Sequence, residues 1–201
     1  MNKFDKKSIK AYDKKADHYD NTFDGKFTGK FKELLIKHIE LNENDSVLDI
    51  ACGNGALLSK INNKKAINGF GIDISGQMIR NASVRYPEFT FVAAPCDKAP
   101  FEDSSMDVIT VCAAYHHFPN VDSFALEAKR LLKPNGNLYI IEIYLPEVIR
   151  VIANPFVPLS KDGDVKFYSY REIEKTFSNV SFRLVKRIKQ GHIQIAHLRK
   201  K

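Results

Sequence analysis

Apolar residues in this chain recur at two spacings. At Phe27, Phe31, Leu34, Leu35 and Ile39 they follow i, i+4, i+7, i+8 and i+12, one face of a helix, which predicts an amphipathic helix packed on a sheet. Over 47–50, 67–74, 89–94, 106–113 and 138–143 they run almost unbroken, as strands covered on both faces do. Helices are expected between them, at 55–61, from the N-cap Ser75 to Arg85, and over 121–132. Pro87 prevents the second of these from continuing, and Pro134-Asn135-Gly136 turns the third into its strand.

The flanks read differently. Residues 3–20 are polar, with Phe4, Ile9, Tyr12, Ala16 and Tyr19 at loosely helical spacing. Between 144 and 167 the periodicity breaks at Pro146, Pro155 and Pro158 and at Asp162-Gly163-Asp164, which predicts a long loop of the kind used as a lid. Its apolar members, among them Val148, Ile149, Val151, Ile152, Phe156 and Leu159, suit a substrate wall or a dimer contact. Ser169 with Glu172 three residues on is a capping box opening a helix to Phe177. Residues 180–188 and 192–198, joined through Gln190-Gly191, read as a closing hairpin.

Composition narrows the class. With 201 residues, 44% hydrophobic and 27% charged, the chain fits one domain, 1–201, with no linker or repeat. No apolar run approaches the ~20 residues of a membrane span, and the Lys-rich start lacks a signal-peptide core, so a cytoplasmic location is expected. Cys52, Cys96 and Cys112 show no paired metal spacing, and no metal is expected; they read as reduced thiols, small buried filler rather than reactive groups. The net charge of +7 is concentrated at the end: residues 171–201 hold nine Lys or Arg against two acids, while 41–170 hold twelve against fifteen. Such residues either protect an edge strand from aggregation or form a nucleic-acid footprint.

The stretch that carries chemistry is Val47-Leu48-Asp49-Ile50-Ala51-Cys52-Gly53-Asn54-Gly55, a buried strand running into a glycine turn and a helix start. Gly53 and Gly55 let the turn take positive φ and let a ligand approach the backbone, while the helix start offers free N–H groups. A second apolar strand ends at Asp73, twenty residues beyond Gly53, where an acid accepts hydrogen bonds from ribose hydroxyls in nucleotide-binding βαβ units.

Together with Gly71-Ile72-Asp73-Ile74-Ser75, the segments 106–112, Tyr115-His116-His117-Phe118 and 131–136, this stretch resembles the successive motifs of class I S-adenosylmethionine-dependent methyltransferases. The likeness is greatest to the small bacterial ubiquinone/menaquinone-type (type 11) group and runs from about residue 46 to about 143. It implies a Rossmann-like three-layer α/β sandwich with a seven-stranded, mostly parallel sheet of order 3-2-1-4-5-7-6. It also implies S-adenosyl-L-methionine as cofactor and a small-molecule methyl acceptor, in a monomer or homodimer. Residues 1–40 then form a helical cap and 144–168 the lid or substrate loop. The cofactor site implied is Tyr19, Asp49, Ala51, Gly53, Gly55, Asp73, Ile74, Met78, Cys96, Asp97 and Ala114. Pro95 occupies the place where relatives carry an acid, so either Asp97 or the Cys96 backbone is left to meet the adenine.

His116 and His117 fall beyond the fourth strand, beside the expected methyl group; they serve in proton transfer, in lining the site, or, for one of them, in filling space. Glu142 ends the fifth strand near the same crevice, to orient a substrate or to be satisfied locally. Because the sulfonium leaves as a neutral group, orientation alone can supply about 7–11 kcal/mol and a base is optional. A nicotinamide oxidoreductase is disfavoured, since Leu58 stands where its third glycine belongs and the chain closes on a hairpin. An RNA methyltransferase using the basic end, or a noncatalytic S-adenosylmethionine-binding protein, are the alternatives.

Overall fold

The structure, a computed structural model, describes residues 2–201. The elements run α1 (Lys3–Lys15), α2 (Phe23–His38), β1 (Asp45–Ile50), α3 (Ala56–Lys64), β2 (Ile67–Asp73), α4 (Gly76–Arg85), β3 (Thr90–Ala93) and β4 (Met106–Cys112). They continue with α5 (Val121–Leu131), β5 (Leu132–Ile143), α6 (Glu147–Ala153), α7 (Tyr170–Ser178), β6 (Phe182–Gln190) and β7 (Ile193–Lys200). The seven strands form one sheet in the order β3-β2-β1-β4-β5-β7-β6. All neighbours are parallel except β7, which is antiparallel to both β5 and β6.

Period-two alternation explains the unbroken apolar runs. Leu48, Ile50, Ile109, Val111, Leu138 and Ile140 face a core shared with Phe124 of α5 and with Ile173 and Phe177 of α7. Val47, Val108, Tyr139 and Ile141 point the other way, onto Phe31 and Leu35 of α2 and Leu58 of α3. Both faces are therefore covered, and the sheet has no solvent side to mark with polar residues. β6 is one of the two edges, and its Arg183, Lys186, Arg187 and Lys189 are exposed, as an edge guarded against pairing requires.

Two expectations change. Leu132 already pairs with Met106, and β5 then advances from 132 to 137 while β4 advances only from 106 to 108, with Asn135 at φ 63°. The Pro134-Asn135-Gly136 turn is thus a bulge within a strand, not a connection ahead of it. The stretch 144–167 is not structureless, since it contains α6 and a 3₁₀ turn at Val157–Leu159. Val148, Ile149, Val151, Ile152, Phe156 and Leu159 there are exposed to solvent. Among the described residues no helix is long and apolar enough to cross a membrane.

Candidate active site

Chain order reverses between β1 and β4: β2 and β3 build outward on one side and β5 on the other. In such sheets the crevice beyond the carboxyl ends of the strands at this reversal is where ligands bind. Both strands end there in strained backbone, Ala51 at φ 58° and Ala113 at φ 52°, values that cost a residue with a Cβ about 1–3 kcal/mol. The cavity they border is lined by Gly53, Asp49, Asp73, Met78 and Lys32 and, from the N-terminal segment, by Tyr12 and Tyr19.

The two glycines of the turn have different roles. At Gly53 (φ 53°) a Cβ would meet nothing within 4 Å, so the peptide is bare toward the cavity. At Gly55 (φ 79°) it would stand 2.7 Å from the Phe91 ring, and Gly55 is not among the cavity-lining residues. Gly55 is therefore a packing position and the left-handed N-cap of α3, set behind the lining that Gly53 forms.

The carboxylates are already engaged. One oxygen of Asp73 accepts the Gly53 N–H at 2.8 Å and the other accepts the Ser75 N–H at 2.8 Å, which ties the tip of β2 to the glycine turn. Burial raises its pKa, against these two bonds. Asp49 sits opposite Thr110 in the β1–β4 register and accepts its hydroxyl at 2.7 Å; burial pushes its carboxyl up to about 7. Ser75 caps α4 by accepting from Met78 N at 3.1 Å, which fixes Met78 under the cavity. Burial likewise raises the thiols of Cys52, Cys96 and Cys112, keeping them protonated rather than nucleophilic.

Ala51, Ile74, Cys96, Asp97 and Ala114 also line the cavity. Both candidates for the adenine, Asp97 and Cys96, are therefore present, Asp97 exposed and Cys96 partly buried.

The histidine pair divides. His117 lines the cavity, and its Nε2 lies 3.0 Å from the hydroxyl of Tyr12. His116 is 8% exposed, lies outside the lining, and directs Nδ1 to Glu142 Oε2 at 2.8 Å. Glu142 accepts the Tyr115 N–H through its other oxygen at 2.8 Å, so it is satisfied within the protein. The Glu142 carboxylate raises the His116 pKa against burial, while burial and the neighbouring His116 lower that of His117.

Sequence reasoning passed over Tyr12, Thr28, Lys32, Asn54 and Asn120 as lining residues. A signal existed for one pair: Thr28 and Lys32 are polar at i and i+4 on a helix whose inward positions are otherwise apolar. Asn54 reaches back to the Ala16 carbonyl at 3.0 Å, and its Oδ1 is buried without a partner. An orphaned acceptor in a cavity wall is a place for a ligand donor.

Comparison with known proteins gives these features a family. Residues 48–140 match the methyltransferase domain family. Demethylmenaquinone methyltransferase of Thermotoga maritima is 28% identical over 192 residues, covering 87% of this chain and 81% of that protein. The enzyme of the same name from Chlorobaculum tepidum is 31% identical over 110 residues, 55% of this chain and 46% of that protein. The crystal structure of YcgJ from Bacillus subtilis superposes with a TM-score of 0.70 at 26% identity, over 81% of this chain and 73% of that one. The chain carries a methyltransferase domain over residues 48–140. The family and its fold are S-adenosylmethionine-dependent, and the strand order of the methyltransferase sheet is the one its motifs predict.

Proposed function

We propose that the protein transfers a methyl group from S-adenosylmethionine to a small, hydroxyl-bearing ring compound of the quinone-derived type. The observation that carries the reading is the bare Gly53 peptide beside the Asp73 carboxylate, in a cavity at the strand-order reversal. The residues fit the cofactor. Asp49 and Asp73 put two carboxyl groups in the cavity wall for a cationic ligand to meet, and Asn54 Oδ1 is an unused acceptor. Tyr19, Ala51, Gly53, Asp73, Ile74 and Met78 would hold it, with Asp97 or Cys96 at the adenine end. When bound, S-adenosylmethionine supplies an electrophilic methyl on a positively charged sulfur.

The chain's own work is alignment and exclusion of water. α1 covers the mouth through Asp13, whose carboxylate accepts the Ser75 hydroxyl at 2.5 Å and the Gln77 N–H at 3.2 Å. Ala114 and His117 bound the acceptor side, with the His117 ring fixed by Tyr12. The names of the two demethylmenaquinone relatives support the acceptor class. The cavity lining contains no residue beyond Asn120, so the basic carboxyl-terminal strand is remote from it, which favours a small acceptor over RNA.

Thermal unfolding with S-adenosylhomocysteine or with NADH tests the reading. At a hundred times its dissociation constant a bound ligand adds about 2.7 kcal/mol, a rise of roughly 5–10 °C for a chain of this size. The homocysteine nucleoside is expected to give that rise, NADH none, and Asp73→Ala to abolish it. A rise with NADH alone, or none with either, removes the reading.

A further inference from the structure

One point of the loop between α6 and α7 reaches the site. Asp164 Oδ1 lies 2.9 Å from His117 Nδ1 and 3.7 Å from His116 Nε2, and one ligand atom from each of the three residues lies within 4.8 Å of the others. The remaining ring nitrogens are both held from outside, His116 Nδ1 by Glu142 at 2.8 Å and His117 Nε2 by Tyr12 at 3.0 Å. Outer-shell carboxylates and hydroxyls that fix histidine rings in this way accompany metal-ligating histidines.

The inward atoms lack such bonds. His117 Nδ1 is buried without a well-formed hydrogen bond, the Asp164 carboxylate oxygen standing 2.9 Å away. His116, held at Nδ1 by Glu142, turns Nε2 toward the same carboxylate at 3.7 Å. Positive charge between the two rings and the carboxylate, whether a proton or a metal ion, is what this arrangement calls for. Donors about 2.0–2.1 Å from a tetrahedral ion stand roughly 3.3 Å apart, and the two separations from Asp164 straddle that value.

We propose that His116, His117 and Asp164 bind one divalent transition-metal ion of the zinc type, joining the loop to the tip of β4. Two imidazoles and one carboxylate suit such an ion better than magnesium or calcium, which prefer all-oxygen sets. Three protein ligands leave a position for water or for an acceptor oxygen. This deepens the methyl-transfer reading and rests on it for the acceptor. The ion would lower the pKa of a phenol or enol oxygen bound at that position.

The test uses the full chain, stripped with a chelator and titrated with Zn²⁺ and with Co²⁺, while S-adenosylhomocysteine binding is followed by thermal shift in the same samples. One saturable Zn²⁺ per chain is expected, with a Co²⁺ visible spectrum free of thiolate charge-transfer bands. Asp164→Asn should weaken Zn²⁺ at least tenfold and leave the homocysteine shift intact. Glu142→Gln, which removes the charge and can keep only one of its two accepted hydrogen bonds, should weaken it roughly 10–100-fold. Absence of saturable Zn²⁺ in the wild type, thiolate bands, or unchanged affinity in both variants overturns the site. Loss of the homocysteine shift with intact Zn²⁺ binding would instead overturn the cofactor reading alone.

Discussion

Gly53 and Gly55 stand two residues apart in one turn, share left-handed φ, and differ in what a side chain would strike. Alanine at either costs about 1–2 kcal/mol for the backbone conformation alone. At Gly53 the methyl enters open cavity, so Gly53→Ala should lose only that much stability while S-adenosylhomocysteine binding falls at least tenfold. At Gly55 it meets Phe91 and Tyr86, and overpacking adds about 1–3 kcal/mol. Urea unfolding with parallel titration of the nucleoside separates them. If Gly55→Ala weakens binding without the larger stability loss, the packing role assigned to it is wrong. The neighbouring Ala51 and Ala113 carry the same backbone sign with a Cβ present, which places uncompensated strain where β1 and β4 open into the cavity.

At the scale of elements, α1 and the loop after α6 hold one another. Lys7 donates to the carbonyls of Pro158 and Ser160 at 3.2 and 2.9 Å, and Lys15 bridges Asp24 and Asp162 at 3.0 Å each. Gly163, at φ 84°, lies so close to α1 that a Cβ would be 2.8 Å from the Phe4 carbonyl oxygen. Gly163→Ala should therefore part the two, raising amide exchange in 3–12 and 158–166 while β1 and β4 stay protected. Unchanged exchange in both segments would mean that the contact does not hold the loop. Much of this layout was legible. Buried strands announce themselves as apolar runs, and Ser75 and Ser169 cap the helices they were expected to cap. α6 was not legible, because its apolar residues face solvent and make no one-sided stripe. Pro146 and Pro155 read as breakers, whereas one is the N-cap of that helix and the other follows its C-cap, Asn154. The meeting of Asp164 with the histidines was equally hidden, since forty-odd residues of chain separate them and a Gly-Asp turn carries no chemical signature.

For the whole molecule the decisive variable is proton balance, because a chain with a net charge of +7 becomes more cationic as pH falls. One buried group makes that dependence testable away from the cavity. His197 on β7 is 2% exposed, stacks on Tyr139 with centroids 4.3 Å apart, and lies 2.9 Å from Asn137 Oδ1 through Nε2. Burial, aided by Arg199, Lys186 and Arg183, lowers its pKa from 6.5 to about 4. Above the unfolded value both states are neutral and the group's stabilisation is complete. Between 6.5 and about 4 the unfolded chain takes up a proton that the native state refuses, so stability falls with pH, by at most about 3 kcal/mol at 1.36 kcal/mol per unit. His197→Phe keeps a ring against Tyr139, and Asn137 retains the Arg199 Nε–H at 2.9 Å, so the core is not left with an orphaned acceptor. Between pH 7.5 and 4.5 the wild type should lose about 2 kcal/mol more than this variant in urea unfolding, the contributions of all other groups cancelling in the difference. Parallel curves would show that His197 titrates alike in both states and that its burial carries no proton linkage.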